Sequence, residues 1–309
     1  MAKILVIVGI FSLAGFALAQ QPAWQPGPGH MTLELWPQGA PGEPPNAPAE
    51  VDTTTTKDNV VAGKRVARIS NVSRPTITLY AADDNPDGKA IIVFPGGAYR
   101  ILAIDLEGTE VCDWLNSIHV TCVLLKYRVP NTGPYPKSSA ALQDAQRAIG
   151  MVREHAAEWH VSPNRIGVLG FSAGAHLAAA VSTHFDQRLY PSVDSADQQS
   201  CRPDFQVIIY PGYLALADKN FAPNPDIHVT SDTPPAFVLQ AEDDPVHVEN
   251  AMVYFSALKN AKVTAELHIY AKGGHGYGLR ATELPVTHWP TLVEKWLATV
   301  DESERTPSK

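Results

Sequence analysis

Cysteine is scarce in this chain of 309 residues. Only Cys112, Cys122 and Cys201 occur, an odd number and too few for a disulfide framework in a chain long enough to bury a sizeable core. Cys122 lies in an apolar run and reads as a small core residue. No Cys-x-x-Cys pair and no His-Glu-x-x-His occurs, so no structural or catalytic metal site is expected. Basic charge is also in deficit: 24 Lys and Arg stand against 32 Asp and Glu, giving a net charge of −8 with no basic cluster. Nucleic acid and anionic membrane surfaces are therefore not expected partners. Long apolar runs are missing except at the start, where Met1-Ala-Lys3 precedes an apolar stretch over 4–16 and then Ala17-Leu-Ala19. A charged start, a short apolar stretch and a small-residue site read as an export signal over 1–19. The remainder is expected to be secreted or periplasmic, with no membrane association after signal removal.

Eight of the 26 prolines fall between residues 21 and 50, and Thr53-Thr-Thr-Thr56 follows. Residues 20–63 read as an extended arm with little structure of its own, draped over the domain and pinned by Trp24 and Trp36. From residue 64 to 301 the chain alternates apolar, β-branched runs with helical patterns, and 302–309 is a polar tail. The runs lie at 76–81, 90–94, 121–127, 165–170, 205–210, 236–241 and 265–270. Between them, Leu142, Ala145, Ile149, Val152, Ala156 and Trp159 form one apolar stripe at helical spacing. Helices are also expected around Val111–Leu115, around Ala251–Leu258, and after Pro290. Such alternation predicts an α/β fold with a mainly parallel central sheet and helices on both faces.

In a sheet of this kind, ligands bind beyond the carboxyl ends of the strands. Gly170-Phe-Ser-Ala-Gly174 sits there, between an apolar run and an alanine-rich helix. It matches the G-x-S-x-G elbow, whose tight turn projects the Ser172 hydroxyl above the sheet. The loop after 90–94 is Pro95-Gly-Gly-Ala-Tyr99, where two glycines allow backbone amides to face a ligand. Gly97 and Ala98 are candidate oxyanion donors there, with the amide of Ala173. Glu242-Asp-Asp-Pro245 follows the next-to-last run and offers an acid to orient a histidine. Asp244 is preferred, because the Asp-Pro pair begins a turn, and Asp243 stays open. Gly273-Gly-His-Gly-Tyr-Gly278 follows the last run and presents His275 as a base. His176, one helical turn after Ser172, is expected to pack rather than react. His247 is a candidate for shaping the pocket. Tyr99 and Arg100 are candidate substrate contacts, and Asp105, Glu107 and Tyr127 are further polar or aromatic candidates near the mouth.

The order Ser172, Asp244, His275 is that of an α/β-hydrolase. On Phe94-Pro-Gly-Gly-Ala-Tyr99, Gly170-Phe-Ser-Ala-Gly-Ala-His176, Glu242-Asp-Asp-Pro245 and Gly273-Gly-His-Gly-Tyr-Gly278, residues 64–300 resemble that superfamily. Within it they resemble the secreted bacterial acetylesterase and acetylxylan-esterase-like enzymes. The resemblance implies a serine esterase needing no cofactor, with Ser172 as nucleophile, His275 as base and Asp244 as orienting acid. It further implies a small acyl group, acetyl, carried on carbohydrate such as xylan. Pro95-Gly-Gly-Ala98 stands where lipase-like relatives carry His-Gly-Gly-Gly, so the oxyanion loop is expected to present a different set of amides. A feruloyl or general carboxylesterase is the alternative within this fold. A non-catalytic carbohydrate-binding protein is the alternative of another class, but it predicts a broken triad. The oligomeric state stays open.

Overall fold

The computed structural model describes residues 23–305, the last five by backbone alone, and the export-signal segment lies outside the described residues. Eight strands form the central sheet: β1 Met31–Glu34, β2 Thr76–Tyr80, β3 Ala90–Phe94, β4 Thr121–Lys126, β5 Ile166–Phe171, β6 Gln206–Ile209, β7 Ala236–Ala241 and β8 Ala265–Tyr270. Their spatial order is β1-β2-β4-β3-β5-β6-β7-β8. β1 pairs with β2 and β2 with β4 antiparallel, and all later pairs are parallel. Every residue of β3, β4, β5, β6 and β7 is buried, which explains why they are apolar but for Thr121, Lys126, Gln206 and Gln240: helices cover both faces, so no side of these strands meets water. β8, at the far edge, is only partly buried, and its sequence is correspondingly mixed.

The helices are α1 Glu110–Ser117, α2 Ser139–Glu154, α3 Ala173–Val181, α4 Glu249–Asn260 and α5 Trp289–Arg305. The stripe expected to run to Trp159 is carried by α2 only as far as Glu154. Ala156 and Trp159 are buried from the turn that follows. α2 is also buried well beyond its stripe, because the proline-rich arm and the segment 184–198 pack on it. Trp36 Nε1 donates to Asp144 Oδ1 at 2.7 Å, and Arg128 binds the same carboxylate at 2.9 Å. Arg147 Nε donates to the carbonyl of Leu35 at 3.1 Å. A buried charge is tolerable only when paired and hydrogen-bonded, and the arm supplies part of that pairing.

Three expectations need correcting here. Residues 20–63 are more than a draped arm: they provide the edge strand β1, paired from Met31↔Leu79 to Glu34↔Thr76, and a short pairing of Val51–Asp52 with Arg68–Ser70. The polar tail does not begin at 302, since α5 continues to Arg305. Cys122 is not a lone core residue but forms a disulfide with Cys112. The turn after α1 folds the chain straight back into β4, bringing the two Cα atoms to 5.1 Å, within disulfide range. Cys201 is free and buried.

Candidate active site

β5 lies at the centre of the sheet and ends at the turn carrying Ser172. There the backbone has φ 53° and ψ −116°, an uncommon conformation for a residue with a side chain. It persists because the turn is clamped. The Ser172 amide donates to the Ile209 carbonyl at 3.1 Å, and the Ser172 carbonyl accepts from the amides of His176 at 3.1 Å and Gly212 at 3.3 Å. Gly174 and Gly170 are required by space. A Cβ on Gly174 would lie 2.0 Å from the Phe94 carbonyl oxygen, and one on Gly170 would lie 2.1 Å from that of Gly174.

The hydroxyl of Ser172 is 2.8 Å from His275 Nε2, and His275 Nδ1 is 2.9 Å from Asp244 Oδ2. Three residues spread over the last half of the sequence thus form one continuous hydrogen-bonded chain. Asp244 is held in turn: its Oδ1 accepts from the Val246 amide at 2.7 Å and its Oδ2 from Gln240 Nε2 at 3.0 Å. Asp243 points elsewhere. Its Oδ1 accepts from the amides of Gly273 at 2.9 Å and Gly274 at 2.8 Å. These bonds, the Gly274 amide foremost, hold its carboxyl below the usual carboxylate value. One aspartate therefore meets the imidazole, and its neighbour fastens the loop that carries it.

The loop Pro95–Tyr99 faces Ser172 from β3. The amides of Gly97 and Ala98 donate to no acceptor among the described residues, and both residues line the same cavity as Ser172 and His275. Ala173 opens α3, where first-turn amides have no partner within the helix. The loop is braced from behind. Tyr127 donates its hydroxyl to the Pro95 carbonyl at 2.6 Å, and the Gly96 amide donates to Glu107 Oε2 at 2.7 Å. Tyr127 is thus a buried brace rather than a residue at the mouth.

Tyr99 also departs from expectation as a substrate contact. It is fully buried, with its hydroxyl 2.7 Å from His176 Nδ1, because its φ of 59° turns the side chain into the core. His176 packs as expected, and burial pushes its pKa down to about 3, keeping it neutral. Arg100 does line the cavity. Asp105 faces away from it, accepting from the Ala67 amide at 2.8 Å and Arg280 Nη2 at 3.0 Å. His247 lies against Phe221 in an adjoining depression rather than beside Ser172.

The cavity above Ser172 measures about 810 Å³. Its walls include Val61, Val66, Ile101, Leu106, Tyr213 and Val246, with Arg68 and Arg100 as the charged members that bear cations. Asn59 and Val61 come from the arm, so the boundary expected at residue 64 cuts through the cavity wall. Two contributors escaped the sequence reading: Gln240, and Tyr210, whose hydroxyl oxygen accepts from the Gly278 amide at 3.2 Å. Gln240 carried a usable signal: it is the one amide in the otherwise apolar β7, and a polar group placed there must be satisfied by something specific. Tyr210 had none, since an aromatic ending an apolar strand reads as core.

Comparison with known proteins agrees with this geometry. Residues 91–227 match a family model described as the α/β hydrolase fold, and residues 209–300 match that of the prolyl oligopeptidase family. The second match spans Asp244 and His275 but not Ser172. An acetylxylan esterase of Xylanibacter ruminicola is 31% identical over 219 residues, 63% of this chain and 42% of the relative. Endo-1,4-beta-xylanase B of Butyrivibrio fibrisolvens is 27% identical over 220 residues, 65% of this chain and 34% of the relative. The chain thus spans less than half the length of these two relatives. Among solved structures, an acetyl ester-xyloside bifunctional hydrolase from Caldicellulosiruptor lactoaceticus superposes with a TM-score of 0.65 at 40% identity, covering 74% of this chain and 89% of the other.

Proposed function

From the premise that this chain belongs to the α/β-hydrolase family, we propose that it is an exported serine esterase removing short acyl groups, acetyl above all, from carbohydrate. The observation that carries the chemistry is the chain Asp244–His275–Ser172, with bonds of 2.9 and 2.8 Å, opening into a cavity flanked by free amides. His275 Nε2 takes the proton of Ser172 as the oxygen attacks the ester carbonyl. The new tetrahedral oxyanion is received by the amides of Gly97, Ala98 and Ala173, donors already in place before charge develops. His275 then gives its proton to the departing alcohol, and a water deprotonated at the same nitrogen releases the acid and restores Ser172. Asp244, fixed by Val246 and Gln240, keeps the imidazole in the tautomer with hydrogen on Nδ1 and stabilises its cation. No step calls for a cofactor.

The carbohydrate part rests on the relatives: an acetylxylan esterase, a xylanase and an acetyl ester-xyloside hydrolase all stand among them. A feruloyl or general carboxylesterase uses the same machinery, and the open, largely apolar cavity favours keeping it as the second reading. Export, to the periplasm or beyond the cell, is supported by the signal-like start and by the Cys112–Cys122 disulfide, since such bonds persist in oxidising compartments. Acid release from acetylated xylan and from a feruloylated sugar tests the proposal, with Ser172→Ala as control. Acetate release lost in the variant is the expected result. Ferulate release alone replaces the substrate and keeps the mechanism, and release undiminished in the variant removes Ser172 from it.

A further inference from the structure

Glu107 is a buried carboxylate beside the reacting centre that no step above uses. It lies in a single π-helical turn, Asp105–Thr109, closed by the Thr109 amide on the Ile104 carbonyl at 3.0 Å and leading directly into α1. Such turns are rare and recur at functional sites, because the extra residue redirects one side chain without ending the helix. Here Asp105 is sent outward to Arg280 while Glu107 is sent inward. Burying a carboxyl group is unfavourable unless its lone pairs are met, and both oxygens of Glu107 are met. Oε2 accepts from the Gly96 amide at 2.7 Å, and Oε1 accepts from the Tyr210 hydroxyl at 2.8 Å. The Tyr210 oxygen accepts in turn from the Gly278 amide at 3.2 Å, and its ring stands edge-on to His275 with centroids 5.0 Å apart.

We infer that Glu107 is a positioning residue that holds the oxyanion turn and the His275 loop in register across the cavity. One arm of the carboxylate engages Gly96, the residue before the candidate donors Gly97 and Ala98. The other reaches Gly278, at the end of the base loop, through Tyr210. By occupying the Gly96 amide, Glu107 settles which peptide of the turn faces inward to the protein and leaves the next two facing the cavity. The fit is close: a Cβ on Gly96 would lie 2.7 Å from Glu107 Oε2 and 2.9 Å from Ser172 Cβ, so this glycine is squeezed between the carboxylate and the nucleophile. Burial raises the Glu107 carboxyl above its usual value, while Tyr210, Gly96 and the His275 imidazole favour its charged form and Asp105 opposes it. As a carboxylate, Glu107 accepts at both oxygens, as the two bonds require. An amide side chain can accept at only one of its two ends.

The inference rests on the proposed Ser172 chemistry, and the experiment separates the two. Wild type, Glu107→Leu, Glu107→Gln and Tyr210→Phe are titrated to completion with a fluorophosphonate, and kcat and KM on 4-nitrophenyl acetate are expressed per labelled site. Binding of a boronic acid, which forms a tetrahedral adduct on the serine, is measured alongside. Glu107→Leu should lower kcat about 100-fold and weaken the boronic acid comparably, with KM within roughly threefold, as when an oxyanion donor is lost. Glu107→Gln keeps one acceptor and Tyr210→Phe keeps the Gly96 bond, so each should lose about tenfold in kcat. A merely structural role would reduce the number of labelled sites and leave kcat per site alone. If Glu107→Leu does not fold, the other two variants decide, and unchanged kcat in both overturns the inference. A wild type labelled at Ser172 with variants like itself overturns the inference only. A wild type that takes no label at Ser172 overturns the esterase reading and the inference with it.

Discussion

At the elbow, a methyl group on Gly174 would lie 2.0 Å from the Phe94 carbonyl oxygen; in the loop around His275, a methyl on Gly274 or Gly276 would meet nothing within 4 Å. Both regions are glycine-rich, and both flank a reacting group, but the reasons differ. Around Ser172 glycine is there because backbone presses on backbone. On either side of His275 it is there for backbone angle, since Gly274 and Gly276 have φ of 63° and 70°, and only at the ends of the loop, Gly273 and Gly278, does space matter too. Ser172 is set by close packing, whereas His275 is set by a few hydrogen bonds to its ring and its loop, those of Asp243, Asp244 and Tyr210. The two aspartates divide the task on the second side, one orienting the ring and the other anchoring its loop.

The sharpest way to break this contrast is to exchange the roles of the aspartates. Asp244→Asn should lower kcat on acetyl esters by about 10⁴-fold, through loss of the correct imidazole tautomer, while urea unfolding changes little. Asp243→Asn should lower kcat only about tenfold, the effect of loosening a loop rather than removing an orienting charge. Equal losses would mean that anchoring and orienting are one function. Next in size, Gly174→Ala should destabilise the protein by about 3 kcal/mol in a denaturant titration, because neither carbonyl facing the new methyl can retreat without moving β3. Gly276→Ala should be milder, about 1 kcal/mol, and should leave the melting transition cooperative. A larger loss for Gly276→Ala than for Gly174→Ala would refute the distinction between space and angle.

The smallest effect concerns pH. The folded carboxyl of Asp243 titrates below its ordinary value of 3.8, so its anchoring is complete above that value and lost as pH falls through the depressed one. Amide protection at Gly273 and Gly274 should therefore decline below about pH 4, and in Asp243→Asn it should be low and flat across the same range. A decline that survives in the variant would assign the anchoring to another group.

Much of this molecule was legible in the sequence, for identifiable reasons. β3 and β7 begin and end where their apolar runs do, because in a sheet covered on both faces burial writes the pattern. Ser172, Asp244 and His275 could be picked out since each follows such a run, and the structure brings their side chains within hydrogen-bonding distance of one another. What was not legible depends on partners distant in sequence. β1 is short and sits among prolines, and only its pairing with β2, some forty residues later, makes it a strand. Trp36 reads as a pin for the arm, but its partners Asp144 and Arg128 look like unrelated polar residues until the arm crosses α2. Tyr99 read as a mouth residue because neighbours in sequence are easily taken for neighbours in space, and two successive left-handed residues, Ala98 and Tyr99, turn its side chain into the core.

The pairing of β1 with β2 also bears on where this protein could be cut. A fragment beginning at residue 64, the start of the regular strand–helix alternation, would leave the outer edge of β2 without its partner strand over 76–79. An uncapped edge of that kind is a template for another chain. Such a fragment would strip Trp36 from Asp144 and Asn59 and Val61 from the cavity at the same time. The proline-rich segment thus covers a sheet edge as well as forming part of the cavity wall, and a shortened version is expected to self-associate, which light scattering would show before its turnover is measured.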